Sequence, residues 1–590
     1  MTDKAKDEVK ADAKPKKAPA RNKSKKSNDE QVVLMMPDVK DEVAAEEKKK
    51  DDALFKVLDE HDTVTLDGGQ IVPLNKKKRE ADITPYISNV DGSVYAITGL
   101  PEEFIATLFA WVSRSPKSFK EHLKIALKDH NIKGALDSFK ELDDKAKSFH
   151  EKWTVGYGHS SVAEHAVAHV GIENISRLAS AELELANPFL SITEYSQRYQ
   201  KPERGKWHNP LKMFKEKPKG ISTANLDINP LYQKVDHFYH AAFDAFENLI
   251  DGVYTYLKKE FVHSEEYEAI KDDSKAVDRK LDALMKLAFE DARYVLPLSM
   301  HTQLGMTANG RAWRDTLAEL GTSDHAESQK LADDLRAEIT KVLPVLLKYA
   351  TPSQYQKNSK LRVSKHFECE YDNVIAPSYD AVLLPVEEES MLINEIIAHL
   401  KVKNQLVDYP YAAAVANFGM SDETKEEIIK ELLFEMQHFD NAPDAFKHIR
   451  YKAYFTVSEA NWHQLLRHNR MTDFTFSKPT TKFGIKVPPR IVAAGLQDIL
   501  KGIAAKSEEL YNELVQNNFE KEAEYVVLNA HKRHIYASFN LWEAYHLINL
   551  RTSEQAQWDI RETFEDLYQQ IKSVHPLLIS EAKRRNDNAH

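Results

Sequence analysis

Apolar and polar positions alternate along this chain in a pattern that predicts short strands followed by long helices. Residues 92–98 (GSVYAIT) and 381–386 (AVLLPV) are short apolar runs, and each predicts a strand. A long region of helical periodicity follows each of them. Near the C-terminus, one predicted helix face consists of Leu541, Ala544, Tyr545 and Ile548.

This order of elements occurs twice, which predicts an internal duplication. The first half spans residues 81–365 and the second spans residues 367–575. In each half, a strand and a helix precede a histidine-bearing helix start, a polar loop and a late pair of helices. Sequence identity between the halves is low, so the duplication depends on the order of elements and on the placement of motifs.

Both ends of the chain are predicted to lie outside these halves. Residues 1–52 are rich in Lys, Ala, Asp and Glu and lack aromatic residues. Such a segment buries too little apolar surface to offset its ordering entropy, which predicts a disordered charged tail. Its basic run, Lys14 to Lys26, could contact nucleic acid or a membrane, but a solubilising role is the favoured interpretation. Residues 576–590 are predicted to form a C-terminal tail.

Bulk composition narrows the classes of function. The formal net charge is −11, so no overall basic field favours nucleic acid as a partner. The single cysteine, Cys369, excludes a disulfide framework and a cysteine-based zinc site, and no other metal site is predicted. Cys369 stands between two glutamates, an environment that disfavours a nucleophilic thiolate. No apolar stretch is long enough to span a bilayer and no signal-peptide core is present, so the expected location is the cytoplasm.

Two motifs carry the candidate chemistry of the first half. The octet GHSSVAEH (158–165) is predicted to open a helix, with His165 four or five residues beyond the cap. Taken alone, His165 is better interpreted as a satisfied structural histidine. The loop SITEYSQRY (191–199) concentrates a carboxylate, hydroxyls, an arginine and a tyrosine in nine residues. Such a set would suit the ribose, ring and phosphate of a nucleotide, and would equally suit a well-bonded polar turn.

The second half carries two further motifs, HQLLRHN (463–469) and INLRTSEQAQWDI (548–560). Together with the first-half motifs, they resemble segments of the flavin-dependent thymidylate synthases. The stretches ARYVLP (292–297) and NGR (309–311) resemble two more segments of that family. The resemblance covers most of residues 81–575 but is specific only at these motifs. It implies an α+β fold with two domains of this kind, each a central, mainly antiparallel sheet with long flanking helices, arranged as a pseudo-dimer.

The two halves depart from the family pattern at different places. Where the family has Arg-His-Arg, the first half has Ala-Asn-Pro (186–188), and its late helix lacks the catalytic arginine. The second half has Asn469 in place of the final arginine, with Arg470 next to it as a candidate substitute. Its polar loop is lost at Lys-Pro-Thr (478–480), but its late helix keeps the family's Asn-Leu-Arg, ending at Arg551.

These losses are complementary, which predicts one working composite site. The reciprocal pairing, which combines the segments of the two halves that have lost these residues, is predicted to be inactive. The first half keeps Glu194, Ser196, Arg198 and Arg293, and the second half keeps Gln464, Arg467, His468 and Arg551. Family members are homotetramers whose active sites combine residues of several subunits. The resemblance therefore implies a homodimer of this chain that forms a pseudo-tetramer. Whether the halves meet within one chain or between chains stays open.

The resemblance implies reductive methylation of dUMP to dTMP, with methylenetetrahydrofolate as carbon donor, FAD as cofactor and NADPH as reductant. Arg551 would stabilise negative charge on the uracil ring, Ser196 would hydrogen-bond the substrate, and His165 or His448 would gate the flavin face. The residues implied to bind dUMP are Gln464, Arg467, Glu194, Tyr195, Ser196, Gln197, Arg198, Arg293 and Arg551. The residues implied to bind FAD are Arg467, His468, Asn469, Glu194, Asn309, Arg311, Asn540 and His546.

Two alternatives stay open at this point. In the first alternative, the protein is a flavin-dependent enzyme that methylates another pyrimidine, in RNA or as a free nucleotide. It would then act on oligonucleotides and not on free dUMP. Alternatively, it is a catalytically dead homologue that binds a nucleotide or a flavin. Such a protein would lack flavin absorbance, or would bind flavin without oxidising NADPH.

Overall fold

The computed structural model describes residues 63–65, 71–73, 82–112, 115–128, 160–216, 228–347, 350–367 and 379–585. Strands β1 (Thr63–Thr65) and β2 (Ile71–Pro73) pair antiparallel within a first unit, Met1–Glu80. All other described elements belong to a second unit, Ala81–His590. The predicted tail at residues 1–52 and Cys369 lie outside the described residues.

The first half is built on an antiparallel sheet in the order β3-β5-β4. Its strands are β3 (Val167–Ser176), β4 (Ser191–Glu194) and β5 (His301–Asn309). Its helices are α1 (Glu102–Val112), α2 (Phe119–Lys128), α3 (Arg177–Leu185), α4 (Lys212–Glu216), α5 (Ile228–Val262), α6 (Glu265–Ile270), α7 (Ser274–Ala292), α8 (Gly310–Leu320), α9 (Ala326–Ile339) and α10 (Gln354–Ser364). Every second residue of β5 is buried, so one face of the sheet packs on helices.

The second half is built on an antiparallel sheet in the order β6-β7-β9-β8. Its strands are β6 (Ala381–Leu383), β7 (Arg450–Ser458), β8 (Thr472–Phe476) and β9 (Lys532–Asn540). Its helices are α11 (Glu389–Asn404), α12 (Tyr409–Phe418), α13 (Asp422–Leu433), α14 (Glu459–Leu465), α15 (Pro489–Ala493), α16 (Gln497–Gln516), α17 (Glu520–Ala523), α18 (Leu541–Arg551) and α19 (Trp558–Val574). The described chain is therefore α+β, and no described helix has the length and apolar character needed to cross a membrane.

The local predictions have mixed outcomes. The helix face of Leu541, Ala544, Tyr545 and Ile548 is confirmed, since all four residues are buried in α18. Of the predicted strand 381–386, only β6 forms. The predicted strand 92–98 is wrong: it makes a single bridge to the loop at 87, because no described strand runs beside it. The predicted helix start at 158–165 is only a 3-10 turn (Ser160–Glu164), because the apolar run behind it joins the sheet as β3.

Equivalent helices in the two halves begin with the same capping residue. Ser176 caps α3 and Ser458 caps α14, in each case by accepting a hydrogen bond from a main-chain N–H of the first turn. Asn309 caps α8 and Asn540 caps α18 in the same way. These caps define a residue-by-residue equivalence between the halves.

The halves meet through reciprocal main-chain hydrogen bonds. The N–H of Leu298 donates to the carbonyl of Val527 (2.8 Å), and the N–H of Asn529 donates to the carbonyl of Leu296 (2.8 Å). A second reciprocal pair joins Ser299 to Tyr525 (3.2 Å) and Ala530 to Tyr294 (2.9 Å). The segments involved are the first-half ARYVLP stretch and its second-half counterpart AEYVVL (523–528), so equivalent segments contact each other.

One hydrophobic core contains residues of both halves. It includes Val235, Phe238, Tyr294 and Leu298 from the first half and Leu500, Tyr525, Val526 and Leu528 from the second. Buried apolar surface of this kind stabilises the contact between the two halves. Residues 576–585, which were predicted to start a C-terminal tail, also pack inward, since Leu578, Ile579 and Ala582 are buried in the second-half core.

A polar network ties Tyr294 of the first half to the second half inside this junction. The buried Tyr294 hydroxyl donates to Asp559 (2.8 Å) and accepts from Gln557 Nε2 (3.0 Å). Replacing Tyr294 by Phe leaves Gln557 without this acceptor, and we expect the free energy of unfolding to fall by about 1–3 kcal/mol. Denaturant melts would measure the change, with Tyr536→Phe on β9 as the half-buried control. Equal stability of the two variants would contradict the prediction.

Candidate functional site at the junction of the two halves

Glu194, at the end of β4, is the centre of a cluster that both halves supply. Its carboxylate contacts Arg177 Nη1 (2.6 Å) from α3 and Arg467 Nη2 (2.6 Å) from the second half. Ser180 and Thr302 also donate to it (2.8 and 2.9 Å). Burial would raise the pKa of Glu194, but Arg177 and Arg467 outweigh it and lower the pKa to about 2. Glu194 therefore stays ionised and fixes the Arg467 side chain.

Arg551, the last residue of α18, is a partly buried cation without a carboxylate partner among the described residues. Its Nε donates to His468 Nε2 (2.9 Å) and its Nη2 donates to the carbonyl of Gln464 (2.9 Å). Burial lowers the pKa of Arg551 to about 10, with Arg467 and Arg198 adding repulsion. The group still carries its charge at neutral pH, so an anion at this position would relieve an unbalanced cation.

His468 connects Arg551 to a buried carboxyl group. Because the Nε of an arginine is always a donor, His468 Nε2 is an acceptor, and the neutral ring carries its proton on Nδ1. That nitrogen lies 3.4 Å from Glu543 Oε1, and burial raises the pKa of Glu543 to about 8. With His546, these residues bring ligand atoms within 4.8 Å of one another. As placed, however, His468 offers a metal ion no free lone pair.

Arg198, in the loop after β4, reaches the same cluster from the first half. Its Nε contacts Glu290 (2.7 Å) and its Nη2 donates to the carbonyl of Gln555 (3.2 Å) in the second half. Glu290 also contacts Arg490 (3.0 Å). Arg198, Arg467 and Arg551 thus lie near one another within one chain, close enough for Arg467 and Arg198 to lower the pKa of Arg551.

Two buried donors in this region have no hydrogen-bond partner in the described chain. One is Nη2 of Arg293, whose Nε donates to the carbonyl of Glu290 (3.2 Å). The other is Nε2 of Gln197, beside Arg198 in the loop. Burial lowers the pKa of Arg293 from its ordinary value. Unsatisfied buried donors are costly, so these atoms are suited to an acceptor supplied by a ligand.

The other predicted nucleotide ligands lie nearby with partners of their own. The Tyr195 hydroxyl donates to the carbonyl of Lys201 (3.1 Å), and Ser196 Oγ accepts from the N–H of Arg198 (3.3 Å). Gln464 Nε2 donates to Gln557 Oε1 (3.3 Å). The loop is therefore well bonded within itself as well as rich in binding groups.

Asn469 and Arg470 hold the first half in place. Asn469 Nδ2 donates to the carbonyl of Glu184 (2.9 Å). Arg470 donates to the carbonyls of Pro188 (3.0 Å) and Leu190 (3.0 Å). Arg470 thus binds the main chain that leads into β4 and, like Arg293 and Arg551, forms no ion pair with a carboxylate of the described residues.

His165, Asn309 and Arg311 belong to a separate place in the first half. Arg311 pairs with Glu164 (2.5 Å), and Asn309 is occupied as the cap of α8. His165 is exposed, and its ring packs on Phe109 (4.8 Å between centroids). The described contacts of these three residues are all within the first half, so the structure does not bring them to Arg551. Asn540 is likewise occupied as the cap of α18, six residues before His546.

Sequence reasoning missed several residues that build this site. Arg177 stands in the motif IENISR (172–177) but had no assigned role, although an arginine beside a serine cap is a visible signal. Gln557 stands in the QAQW motif without an assigned contact. Glu290 and Arg490 are 200 positions apart, and no local pattern marks them as partners.

Because the caps align the two halves, they also identify the residues that stand at the reciprocal pairing. Leu185 and Arg467 each stand nine residues after their serine cap, so the first-half counterparts of residues 467–469 are 185–187, one position before the predicted 186–188. By the same equivalence, the counterparts of Arg467, Arg551, Arg198 and Arg293 are Leu185, Leu320, Thr480 and Glu524. A cavity of about 830 Å³ lies at this reciprocal pairing and not at the arginine cluster.

His325 borders that cavity and holds two carboxylates. Its Nδ1 lies 2.8 Å from Glu182 and its Nε2 lies 3.2 Å from Glu524. Burial would lower the pKa of His325, but its bonds to Glu182 and Glu524 outweigh burial and raise the pKa from 6.5 to about 10.

This raised pKa predicts a stability that falls with pH. The stabilising contribution is complete below the unfolded pKa of 6.5 and is lost as the pH rises through about 10. We therefore expect the free energy of unfolding, measured in denaturant between these limits, to fall more steeply for the wild type than for His325→Gln. Parallel pH curves for the two proteins would show that His325 is not protonated in the folded state.

Comparison with known proteins identifies a matching family. The model of the family described as "thymidylate synthase complementing protein" matches residues 98–345 and 395–577 of this chain. A UPF0159 protein of Thermoplasma acidophilum is 25% identical over 459 residues, which cover 75% of this chain and 89% of that protein. A flavin-dependent thymidylate synthase of Sulfurisphaera tokodaii is 30% identical over 128 residues, covering 21% of this chain and 49% of that enzyme. Among solved structures, the UMP/dUMP methylase PolB from Streptomyces cacaoi, bound with 5-Br dUMP, matches with a TM-score of 0.27 at 15% identity, covering 35% of this chain and 95% of that one.

Proposed function

Because this chain belongs to the thymidylate synthase complementing protein family, we propose that it is a flavin-dependent enzyme that methylates dUMP to dTMP. The carbon donor would be methylenetetrahydrofolate and the reductant NADPH. The observation that carries the proposal is the unbalanced charge of Arg551, a partly buried cation that lies near Arg198 and Arg467 at the junction. An anionic nucleotide would complete the hydrogen bonds and the charge balance of this cluster.

The unsatisfied donors suggest how the nucleotide would lie. Arg293 and Gln197 offer buried N–H groups, and Arg198 adds a second guanidinium from the same half. Guanidinium groups bind phosphate with two parallel hydrogen bonds, so this side suits the phosphate of dUMP. Arg551, on the other half, would then face the uracil ring and stabilise the negative charge that makes C5 nucleophilic.

His468 and Gln464 would position Arg551 for this role. Each fixes one side of the guanidinium, so its free N–H groups need no reorganisation when charge develops on the ring. Glu194 would do the same for Arg467. Ser196, at the turn between Glu194 and Arg198, would hydrogen-bond the substrate, and no base beside it supports a nucleophilic role.

The residues present fit a flavin beside this cluster. The ring of His546 is exposed next to His468 (5.5 Å between centroids), and 41% of the Arg467 side chain is exposed. An exposed imidazole and guanidinium suit a planar anionic cofactor. When bound, the flavin supplies the hydride, while the protein supplies position and charge. Asn309 and Arg311 would contribute to flavin binding only from another copy of the chain, as in the proposed homodimer arranged as a pseudo-tetramer.

Purified protein tests the proposal directly. We expect yellow flavin absorbance, NADPH oxidation that depends on dUMP, and conversion of dUMP to dTMP when methylenetetrahydrofolate is present. Turnover of a uridine-containing oligonucleotide with none of free dUMP would replace this proposal by methylation of RNA. Flavin binding without NADPH oxidation would instead identify a binding protein that has lost its activity.

A further inference from the structure

The cavity at the reciprocal pairing, called here the reciprocal pocket, is built by both halves. First-half residues come from α3, from the end of α8 and from α10, and second-half residues come from α14, from β8 and from the loop after it. Its volume of about 830 Å³ is ample for a small molecule. The internal equivalence places it where the other half-pair builds the arginine cluster. The duplication therefore leaves the chain with two related sites of different chemistry.

The reciprocal pocket has apolar side chains at positions where the arginine cluster has cations. Leu185 and Leu320 stand where the other site has Arg467 and Arg551, and Phe476 stands at the position of Glu194. The aromatic lining also includes Phe474 and the buried Trp462, whose rings meet edge-on at 5.3 Å. Flat apolar walls of this kind favour a planar ligand.

Charged groups in the reciprocal pocket are largely paired with one another. Arg533 contacts Glu459 (2.8 Å), Lys360 contacts Asp324 (2.7 Å), and Lys478 lies 3.8 Å from Glu524. His325 is shared between Glu182 and Glu524. Glu319 and Asp473 add further negative charge to the lining, and Lys357 comes from α10, a helix with no buried residue where solvent screens its charge. A phosphate would therefore find carboxylates and no unbalanced buried cation.

Two polar residues of the lining have the chemistry to meet the edge of a neutral ring. The indole Nε1 of Trp462 is buried and has no hydrogen-bond partner in the described chain. The carboxylate of Glu182, at the position of Gln464, keeps 31% of its side chain exposed while it contacts His325 and accepts from Ser323 Oγ (2.8 Å). One supplies a donor and the other an acceptor, which together complement a carbonyl and an N–H group.

We propose that the reciprocal pocket binds an uncharged planar heterocycle that carries a carbonyl and an N–H group, namely a pyrimidine nucleobase or a nucleoside without phosphate. This ligand differs from the nucleotide at the arginine cluster by its lack of charge. The proposal goes beyond the proposed function and does not depend on it, since binding here needs neither flavin nor turnover.

Calorimetry with the full chain tests the proposal, with 2′-deoxyuridine and dUMP as probes. We expect saturable binding of deoxyuridine that is weakened at least tenfold by Ala181→Trp, because the indole would fill the pocket from α3. Leu320→Arg should weaken deoxyuridine similarly, because it places an unpaired cation among the apolar walls. Arg551→Ala is the matched control, because it alters the other site and should leave deoxyuridine affinity unchanged. Circular dichroism melts verify that each variant is folded.

The two sites give distinguishable failures. Deoxyuridine binding that survives both pocket variants but is lost in Arg551→Ala would place the nucleoside at the arginine cluster and overturn the proposal. No saturable binding of deoxyuridine to the folded wild type would also overturn it. Absence of dUMP binding, with deoxyuridine binding intact, would instead count against the proposed function alone.

Discussion

Replacing Arg551 by alanine is expected to lower the rate of dUMP methylation by about 10²–10³-fold, the loss seen when one preorganised donor to a developing anion is removed. Arg551 is partly buried, its orientation is fixed by His468 and Gln464, and its charge has no carboxylate partner in the described chain. The substrate loses its charge stabilisation without a large change in packing, because Arg551 lies at the end of α18. Single-turnover formation of dTMP measures the effect.

Two variants sharpen the Arg551 experiment. Arg314→Ala removes an arginine from α8, the counterpart of α18, where its guanidinium contacts Asp315 (2.7 Å), and it should leave the rate nearly unchanged. Arg551→Lys keeps the charge but loses the fork that binds two partners at once, so most of the loss should remain. A rate for Arg551→Ala within a few fold of the wild type would remove the basis of the proposed mechanism.

Mixing Arg198→Ala chains with Arg551→Ala chains is expected to restore no activity. In this structure, Arg198 contacts the carbonyl of Gln555 (3.2 Å) and Glu194 contacts Arg467 (2.6 Å), all within one chain. Each mutant chain would therefore carry a defective cluster, whatever its partner contributes. Co-expression with two affinity tags, followed by tandem purification, yields mixed assemblies whose dTMP formation can be measured.

The mixing experiment has a clear opposite result. If the functional cluster formed between chains, a mixed dimer would combine one intact Arg198 with one intact Arg551, and up to half of the wild-type turnover would return. The control is co-expression of wild type with Arg551→Ala, which should retain about half of the activity under either arrangement. Recovery of activity in the mixture of Arg198→Ala and Arg551→Ala chains would show that a different pairing of halves operates in solution.

Local patterns predicted the features that depend on neighbours in sequence. The buried face of α18 follows from helical spacing, because residues three and four apart share one side of a helix whatever lies opposite. The complementary retention of Arg467 and Arg551 in the second half, and of Glu194 and Arg198 in the first, was also visible in the sequence. Residues 92–98 mark the limit of such patterns, since a strand forms only beside a partner, and none is described there.

Tertiary structure decided which of these groups meet and which stay unbalanced. Glu194 and Arg467 are 273 positions apart, and Arg198 and Gln555 are 357 apart, so no periodicity could place them together. The charge left over at Arg551, the unsatisfied donors of Arg293 and Gln197, and the apolar reciprocal pocket all depend on that placement. Sequence specifies which residue types stand at each position of the two halves. Whether a charge is paired, buried or available to a ligand depends on long-range packing, because pairing and desolvation act between groups that are close in space.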